Sequence, residues 1–220
     1  MMNSFTEENY LKAIYKLWEK SAASVSTNAI AEKMHTKAAS VSDMMKKLAR
    51  KKLINYQKYQ GVTLTASGKK IAVDIIRKHR LWEVFLVEKL NFKWDEVHDM
   101  AEQLEHINSD ELTKRIDKFL GYPRVDPHGD PIPDSNGVIQ LPSSSLLSEM
   151  KKNNSCTMIG VVDHSPAFLQ YLDKAGILLG NEIKINETVE YDRSMIISLK
   201  NKNNLHISFD VAKNILVKGK

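Results

Sequence analysis

Residues 26–65 read STNAIAEKMHTKAASVSDMMKKLARKKLINYQKYQGVTLT, and this segment carries most of the architectural information in the chain. Its apolar periodicity predicts two short helices joined by a tight turn at 35–37, followed by two strands with a turn that ends at Gly61. A further helix is expected at 7–19, and Thr65 is expected to cap a long one. Three helices and a two-stranded ribbon in this order are typical of a winged helix-turn-helix.

The charge of this segment indicates a nucleic-acid partner. Residues 1–72 carry 13 Lys and Arg against 5 Asp and Glu, a net charge of +8. The alternative is a small α+β packing unit without a nucleic-acid role, but lysines clustered on one helix favour DNA binding. The start of that helix should face base edges, and most of the other residues should hold phosphates. The predicted base-facing residues are Thr36, Ala39, Ser40 and Asp43, and the other predicted interface residues are Lys37, Ser42, Lys46, Arg50 and Lys58.

The acidic block that follows predicts a cation site. Residues 73–136 carry 9 Lys and Arg against 14 Asp and Glu, and four of the seven histidines fall there. If the segment HDMAEQLEH at 98–106 is helical, Glu102, Glu105 and His106 lie at i, i+3 and i+4 on one face. Carboxylates this close repel unless a cation lies between them, and oxygen with imidazole suits Mn²⁺, Fe²⁺ or Zn²⁺. The alternative is a solvated polar helix face.

Other sequence features narrow the class of protein. Cys156 is the only cysteine, which fits a reducing cytoplasm and allows neither an intramolecular disulfide nor a thiolate zinc cage. The N-terminal residues do not resemble a signal peptide, and no run of about eighteen apolar residues exists. We therefore expect a cytoplasmic protein without a membrane partner.

The rest of the chain is expected to form a helical domain and a β-domain. Amphipathic helices over 66–89, 93–107 and 109–120 share a broad apolar face, which suggests a dimer interface. Short strands with one helix after residue 155 point to a small β-barrel. The predicted fold class is therefore mainly α with a small β part. Its predicted domains are a winged helix-turn-helix at 1–72, a helical dimerisation and metal-binding domain at 73–137, a linker at 138–154 and the barrel at 155–220.

Three motifs together make the chain recognisable. They are RKHRLWE at 77–83, VHDMAEQLEH at 97–106 and DPHGDPIP at 126–133. With them the chain resembles, over its whole length, the diphtheria toxin repressor family of metal-dependent transcription repressors, which includes manganese transport regulators. The resemblance implies an N-terminal winged helix, a helical dimerisation and metal-binding domain, and an SH3-like C-terminal domain.

The resemblance implies a regulatory metal site made by Asn9 of the first helix with Glu102, Glu105 and His106. Iron-sensing relatives have cysteine where this chain has Glu102, and a carboxylate there shifts the preference toward Mn²⁺ while leaving Fe²⁺ as the alternative. Manganese regulators often have aspartate where this chain has Asn9, so the site is less anionic than usual. Zn²⁺ is expected to bind in vitro, following the Irving–Williams order.

A second metal site is also implied, and its ligand set differs between members of the family. Some members use two histidines and a glutamate of the helical domain. The longer manganese regulators use the Pro-His-Gly loop and the C-terminal domain, and some relatives have cysteine where this chain has Asp126. The corresponding residues here are His79, Glu83 and His98 in the first arrangement, and Asp126, His128 and either Asp163 or His164 in the second. By this resemblance His79 could serve either metal site.

Together these features predict a homodimeric, metal-activated repressor that binds a palindromic DNA operator, controls metal-ion homeostasis and is not an enzyme. A metal joining the first helix to the dimer domain would fix both DNA-binding heads at the spacing of successive major grooves, about 34 Å. One alternative is a metal-independent winged-helix regulator, which metal titration of DNA affinity would distinguish. The other is a metallohydrolase, but the chain lacks a His-Glu-x-x-His motif and an obvious general base beside the cluster.

Overall fold

The structure is a computed structural model that describes residues 3–57, 60–200 and 202–219. The chain divides into two compact units. The first contains the chain up to His79 together with residues 102–113 and 133–138. The second contains residues 80–101, 114–132 and 139 onward.

The first unit begins with the predicted winged helix-turn-helix. Its elements are α1 (Phe5–Ser21), α2 (Thr27–Lys33), α3 (Ala38–Arg50), β1 (Ile54–Gln57) and β2 (Gly61–Leu64). β1 and β2 pair antiparallel, and Val62 of β2 also exchanges two backbone hydrogen bonds with Val25. Lys58, the predicted DNA contact on the wing, lies outside the described residues.

α1 begins earlier than the sequence pattern indicated. Ser4 caps the helix, because the Glu7 N–H donates to Ser4 Oγ (3.3 Å) while Glu7 Oε2 accepts from the Ser4 N–H (2.7 Å). This capping box satisfies two backbone donors that have no partner in the helix or before it. As a result Glu7 and Glu8 lie on the first turn. The fully buried core of the winged helix-turn-helix contains Leu11, Ile14, Ile30, Val41, Met45 and Leu48.

The helix after the ribbon follows the predicted bounds closely. α4 (Ala66–Leu90) is capped by Thr65, whose hydroxyl oxygen accepts from the Gly68 N–H at 3.2 Å. It ends where Asn91 adopts a left-handed conformation with φ 58°.

None of the helices in the part of the chain that the structure describes has the length and apolar character that a membrane span needs. In the second unit, a small apolar core contains Leu81, Val84, Ile116 and Ile132.

The next two helices are joined by a short turn. α5 (His98–Leu104) is much shorter than the helix predicted over 93–107. α6 (Asp110–Phe119) starts directly after Ser109, which caps it by accepting from the Leu112 N–H at 3.2 Å. Because Ser109 caps α6 only five residues after Leu104, the chain has to leave α5 and turn between these two residues.

The second unit ends in a six-stranded antiparallel sheet of order β3-β8-β4-β5-β6-β7. Its elements are β3 (Ser145–Leu146), β4 (Ser155–Val161), α7 (Pro166–Ala175), β5 (Glu182–Thr188), β6 (Met195–Leu199), β7 (Lys202–Ile207), α8 (Phe209–Ala212) and β8 (Ile215–Gly219). The sheet begins inside the stretch predicted as a linker, because β3 pairs with β8 and Leu147 is fully buried. β7 ends at Ile207, and the next residue, Ser208, caps α8.

The Pro-His-Gly loop is held against β4 within the second unit. Gly129 has φ 90°, and a side chain there would overlap the backbone of Ile159 and Gly160. The Val161 N–H donates to the His128 carbonyl oxygen at 3.0 Å. These contacts explain why glycine is required at this point of the loop, and they fix the position of His128.

Candidate metal centres and DNA-binding surface

A cluster of charged side chains lies inside the first unit, between α1 and the turn after α5. Glu105 is fully buried, and its two carboxylate oxygens accept from the Lys12 ammonium at 2.7 and 2.8 Å. His79 Nδ1 lies 2.6 Å from Glu105 Oε2. The same Lys12 Nζ is 3.3 Å from Glu102 Oε1. A tethered ammonium therefore lies between two carboxylates, so this cluster already holds a positive charge where the sequence predicts a metal ion.

His106 joins this cluster to the start of α1. Its Nδ1 lies 2.7 Å from Glu8 Oε2, and its Nε2 lies 3.9 Å from Glu105 Oε1. The imidazole ring stacks on Phe5 with the ring centroids 4.6 Å apart. Carboxylate oxygens and imidazole nitrogens are donors that fit Mn²⁺, Fe²⁺ or Zn²⁺. We call the following residues the first cluster: Glu8, Lys12, His79, Glu102, Glu105 and His106.

The surroundings of Glu105 keep it ionised. Burial by itself would raise the pKa of this carboxyl, but the hydrogen bond with His79 and the positive charge of Lys12 outweigh burial and hold the pKa below its ordinary value. A carboxylate has to be deprotonated to ligate a metal ion. Glu105 is therefore in the metal-binding state at neutral pH.

The first cluster is arranged differently from the predicted helical face. Because α5 ends at Leu104, Glu102 lies on the helix, whereas Glu105 and His106 lie in the turn after it. The assumption that all three share one helical face is therefore wrong, although the turn still directs Glu105 and His106 toward α1. Asn9 is half-buried on α1, and the α1 carboxylate that contacts His106 belongs to its neighbour, Glu8.

Sequence patterns did not reveal Glu8 and Lys12 as members of the first cluster. Their partners are 90 to 98 positions away in the chain, so no local spacing encodes the contacts. The one local signal is that the two residues lie four positions apart on α1, which puts them on one helical face. An acid and a base at this spacing are more often a solvated pair.

A second cluster lies within the second unit, and it consists of Glu83, Asp126 and His128. All three side chains are buried, and their donor atoms come within 4.8 Å of one another. His128 Nδ1 is 3.8 Å from Glu83 Oε2 and 3.9 Å from Asp126 Oδ1. These distances are too long for hydrogen bonds. Among the described residues His128 Nδ1 has no hydrogen-bond partner.

The tautomer of His128 suits a metal ligand. Its Nε2 lies 2.8 Å from the Trp94 carbonyl oxygen, which can only accept, so Nε2 donates. A backbone carbonyl that accepts from one imidazole nitrogen is the usual support for metal binding at the other.

The pKa values of the second cluster show that it attracts positive charge. Burial would lower the pKa of His128, but the neighbouring Glu83 and Asp126 carboxylates raise it overall. Burial and the charges of Glu83 and Asp130 raise the pKa of Asp126. The second cluster therefore attracts a cation, whether a proton or a metal ion.

The remaining predicted ligands differ in whether they contact the second cluster. His98 Nδ1 is 3.5 Å from Glu83 Oε1, within the second unit. The His164 ring stacks on His128 with the centroids 4.9 Å apart. Asp163 Oδ1 accepts from the Ser165 N–H at 2.8 Å. Of the two alternatives predicted near β4, His164 is therefore the side chain in contact with His128. His79 lies in the first unit, where its Nδ1 contacts Glu105 of the first cluster.

The predicted DNA-binding face of α3 is exposed to solvent. Lys46 pairs with Asp43 at 3.1 Å across one helical turn, and both side chains are mostly exposed. Ser42 is half-buried and its hydroxyl donates to the Ala38 carbonyl oxygen at 3.0 Å. The other predicted contacts in the described residues are exposed as well, and they are Thr36, Lys37, Ala39, Ser40 and Arg50.

α1 is also tied to α3 by a buried carboxylate that the sequence patterns did not identify. Glu7 is 1% exposed, and its oxygens contact Lys51 Nζ at 2.8 Å and Lys47 Nζ at 3.3 Å. Burial would raise the pKa of Glu7, but the two lysines and the Ser4 N–H outweigh it and lower the pKa from 4.5 to about 2. The first turn of α1 therefore contacts α3 through Glu7 and the first cluster through Glu8.

This pKa predicts acid sensitivity of the metal-free protein. Since the pKa of Glu7 is lower in the folded state, its ion pairs stabilise the fold fully above pH 4.5 and are lost as the pH falls toward 2. The expected loss is about 3 kcal/mol. Urea unfolding with a chelator present should show that Glu7→Gln removes most of this loss, whereas Glu32→Gln, an exposed site on α2, keeps it. Equal pH profiles for the parent and Glu7→Gln would contradict the assignment.

Three family descriptions match successive parts of the chain. Residues 2–62 match the iron dependent repressor, N-terminal DNA binding domain. Residues 65–134 match the iron dependent repressor, metal binding and dimerisation domain. Residues 146–219 match the FeoA domain. The matches cover the winged helix, the following segment that contributes most residues of both clusters, and the sheet.

Curated relatives include repressors named for iron and for diphtheria toxin. The iron-dependent repressor IdeR of Mycobacterium tuberculosis is 34% identical over 136 residues, which is 62% of this chain and 57% of that protein. The chain thus matches little more than half the length of that relative. The diphtheria toxin repressor of Corynebacterium diphtheriae is 28% identical over 218 residues, or 96% of each chain.

Solved structures resemble the chain over nearly its full length. A manganese-dependent transcriptional repressor in complex with manganese has a TM-score of 0.85 and 35% identity, covering 97% of this chain and 100% of that one. The manganese regulator SloR has a TM-score of 0.73 and 35% identity, covering all of both chains.

Proposed function

The chain belongs to the diphtheria toxin repressor family of metal-dependent transcription repressors, and we propose that it is a homodimeric repressor whose binding to operator DNA is activated by a divalent metal ion. The observation that carries this proposal is the first turn of α1. Glu7 there contacts Lys47 of α3 and Lys51 directly after it, and Glu8 contacts His106. Membership in a family of metal-dependent repressors argues against the two alternatives, a metallohydrolase and a metal-independent regulator.

The first cluster would hold the regulatory ion. Its proposed ligands are Glu102, Glu105 and His106, with Asn9 or Glu8 supplied by α1. A bound ion would supply positive charge shared between α1 and the turn after α5. A shift of the first turn of α1 would reach the DNA-binding surface, because Glu7 on that turn contacts Lys47 of α3 and Lys51 directly after α3. The donor set favours Mn²⁺, with Fe²⁺ as the alternative.

The second cluster would hold a further ion. Glu83, Asp126 and His128 provide two carboxylates and an imidazole nitrogen without a hydrogen-bond partner among the described residues. His98 or His164 would complete the ligand set. Because the loop that carries His128 is packed on β4, an ion here would join the helical part of the second unit to its sheet.

Phosphate contacts should be visible in the salt dependence of DNA binding. Arg50→Ala removes an exposed charge at the end of α3 in each subunit, so the slope of log K against log salt should fall by about one per subunit, or about two for the dimer. Lys174→Ala, an exposed site on α7, makes the same charge change in the sheet domain and should leave the slope unchanged. Equal slopes for Arg50→Ala and the parent would show that α3 does not face the phosphates.

The function is tested by selecting duplexes from a random pool with metal-stripped protein to which Mn²⁺, Fe²⁺ or Zn²⁺ is added singly. A two-fold dimer should select an inverted repeat. Affinity for the selected duplex should rise with Mn²⁺ or Fe²⁺. Equal affinity with and without every metal would favour the metal-independent regulator instead.

A further inference from the structure

The Lys12 side chain is a cation inside the first cluster. The residue is only 7% exposed, and its ammonium contacts three carboxylate oxygens, both of Glu105 and one of Glu102. A lysine is buried to this degree only when its charge is compensated. The ammonium therefore neutralises, and is neutralised by, this pair of carboxylates.

The same oxygens are the ones that a metal ion would use. Glu105 Oε1 is the carboxylate oxygen that faces His106 Nε2, at 3.9 Å, and it is also 2.7 Å from Lys12 Nζ. Glu102 Oε1 is 3.3 Å from the same ammonium. An ammonium and a divalent ion cannot share these oxygens at such distances, because their like charges repel strongly in a buried site.

We propose that Lys12 is a built-in competitor of the metal ion. Its ammonium holds Glu102 and Glu105 in the metal-free protein, and a divalent ion binds only as the ammonium leaves these oxygens. The competition lowers the affinity of the first cluster for metal and so raises the metal concentration at which the repressor is activated. It also stabilises the metal-free contact between α1 and Glu105. The inference rests on the proposed function, since it assumes that the first cluster binds metal.

Lys78 provides a matched control within the first unit. Its ammonium pairs with Asp74 at 3.3 Å, and its side chain is 10% exposed against 9% for Lys12. Lys78→Met therefore removes a similarly buried charge without touching the carboxylates of the first cluster.

The first experiment measures Mn²⁺ affinity by calorimetry on metal-stripped dimer. Lys12→Met should bind Mn²⁺ at least about tenfold more tightly than the parent, and Lys78→Met should match the parent. His106→Ala identifies the heat that belongs to the first cluster. If the parent shows no His106-dependent Mn²⁺ binding, the proposed function fails. If it shows such binding but Lys12→Met is no tighter, the inference about Lys12 is overturned while the proposed function stands.

A second experiment needs no variant, so it holds even if Lys12→Met does not fold. Reductive methylation of the parent, read residue by residue by mass spectrometry, reports how firmly each ammonium is held. Mn²⁺ should increase methylation of Lys12 several-fold and leave Lys78 unchanged. Unchanged or decreased methylation of Lys12 at saturating Mn²⁺ would overturn the proposal, because it would mean that the ammonium stays on its carboxylates.

Discussion

Replacing His106 by alanine is expected to remove the metal-activated part of DNA binding, with an affinity loss of about 100-fold at saturating Mn²⁺. His106 contacts Glu8 of α1 and lies beside Glu105, so its imidazole reaches both sides of the first cluster. The residue lies in a turn after α5, and the apolar cores of both units do not depend on it. The variant should therefore stay folded.

The measurement is operator affinity with and without Mn²⁺, accompanied by circular dichroism and the dimer's elution volume. His206→Ala is the control, because His206 is an exposed histidine in the sheet and should leave activation intact. A His106→Ala variant that keeps the parent's response to Mn²⁺ would remove the first cluster from the mechanism.

Replacing Glu105 by leucine should lower the free energy of unfolding of the metal-free protein by about 3–5 kcal/mol. The substitution leaves the Lys12 ammonium buried with Glu102 as its one remaining partner in the first cluster, and that carboxylate is half exposed. Replacing both members of a buried ion pair by apolar side chains is far less harmful than replacing one.

A double-mutant cycle tests this expectation. Urea unfolding of Lys12→Met, Glu105→Leu and the double variant should show that the double is more stable than Glu105→Leu alone by about 2 kcal/mol. Strictly additive losses would mean that Lys12 and Glu105 do not stabilise each other.

Local patterns were sufficient to predict most of the fold. The apolar period of α1 to α4, the glycine turn before β2 and the Ser109 cap all act over a few residues, so the sequence expresses them directly. The predicted end of α5 was wrong because a helical period continues through Glu105 and His106, whereas the chain must turn there to start α6. The position of this turn depends on tertiary packing, so the local sequence pattern does not predict it.

The sequence identified only some of the residues that lie together in the first cluster. Glu105 and His106 were identified by their spacing and by the family resemblance. Lys12, Glu7 and Glu8 were not, because each is defined by a partner at least 44 positions away. In a sequence, a lysine on an amphipathic helix looks like a solvated residue, and only the three-dimensional packing shows that Lys12 is buried.

The central claim is that metal binding and DNA binding are coupled through the first turn of α1. Coupling between two ligands is reciprocal, so the factor by which Mn²⁺ tightens DNA binding must equal the factor by which DNA tightens Mn²⁺ binding. The most direct measurement is therefore the Mn²⁺ affinity of metal-stripped dimer with and without the selected operator duplex. The account predicts that the duplex tightens Mn²⁺ binding, and that His106→Ala abolishes this gain. Equal Mn²⁺ affinity with and without the duplex would contradict it.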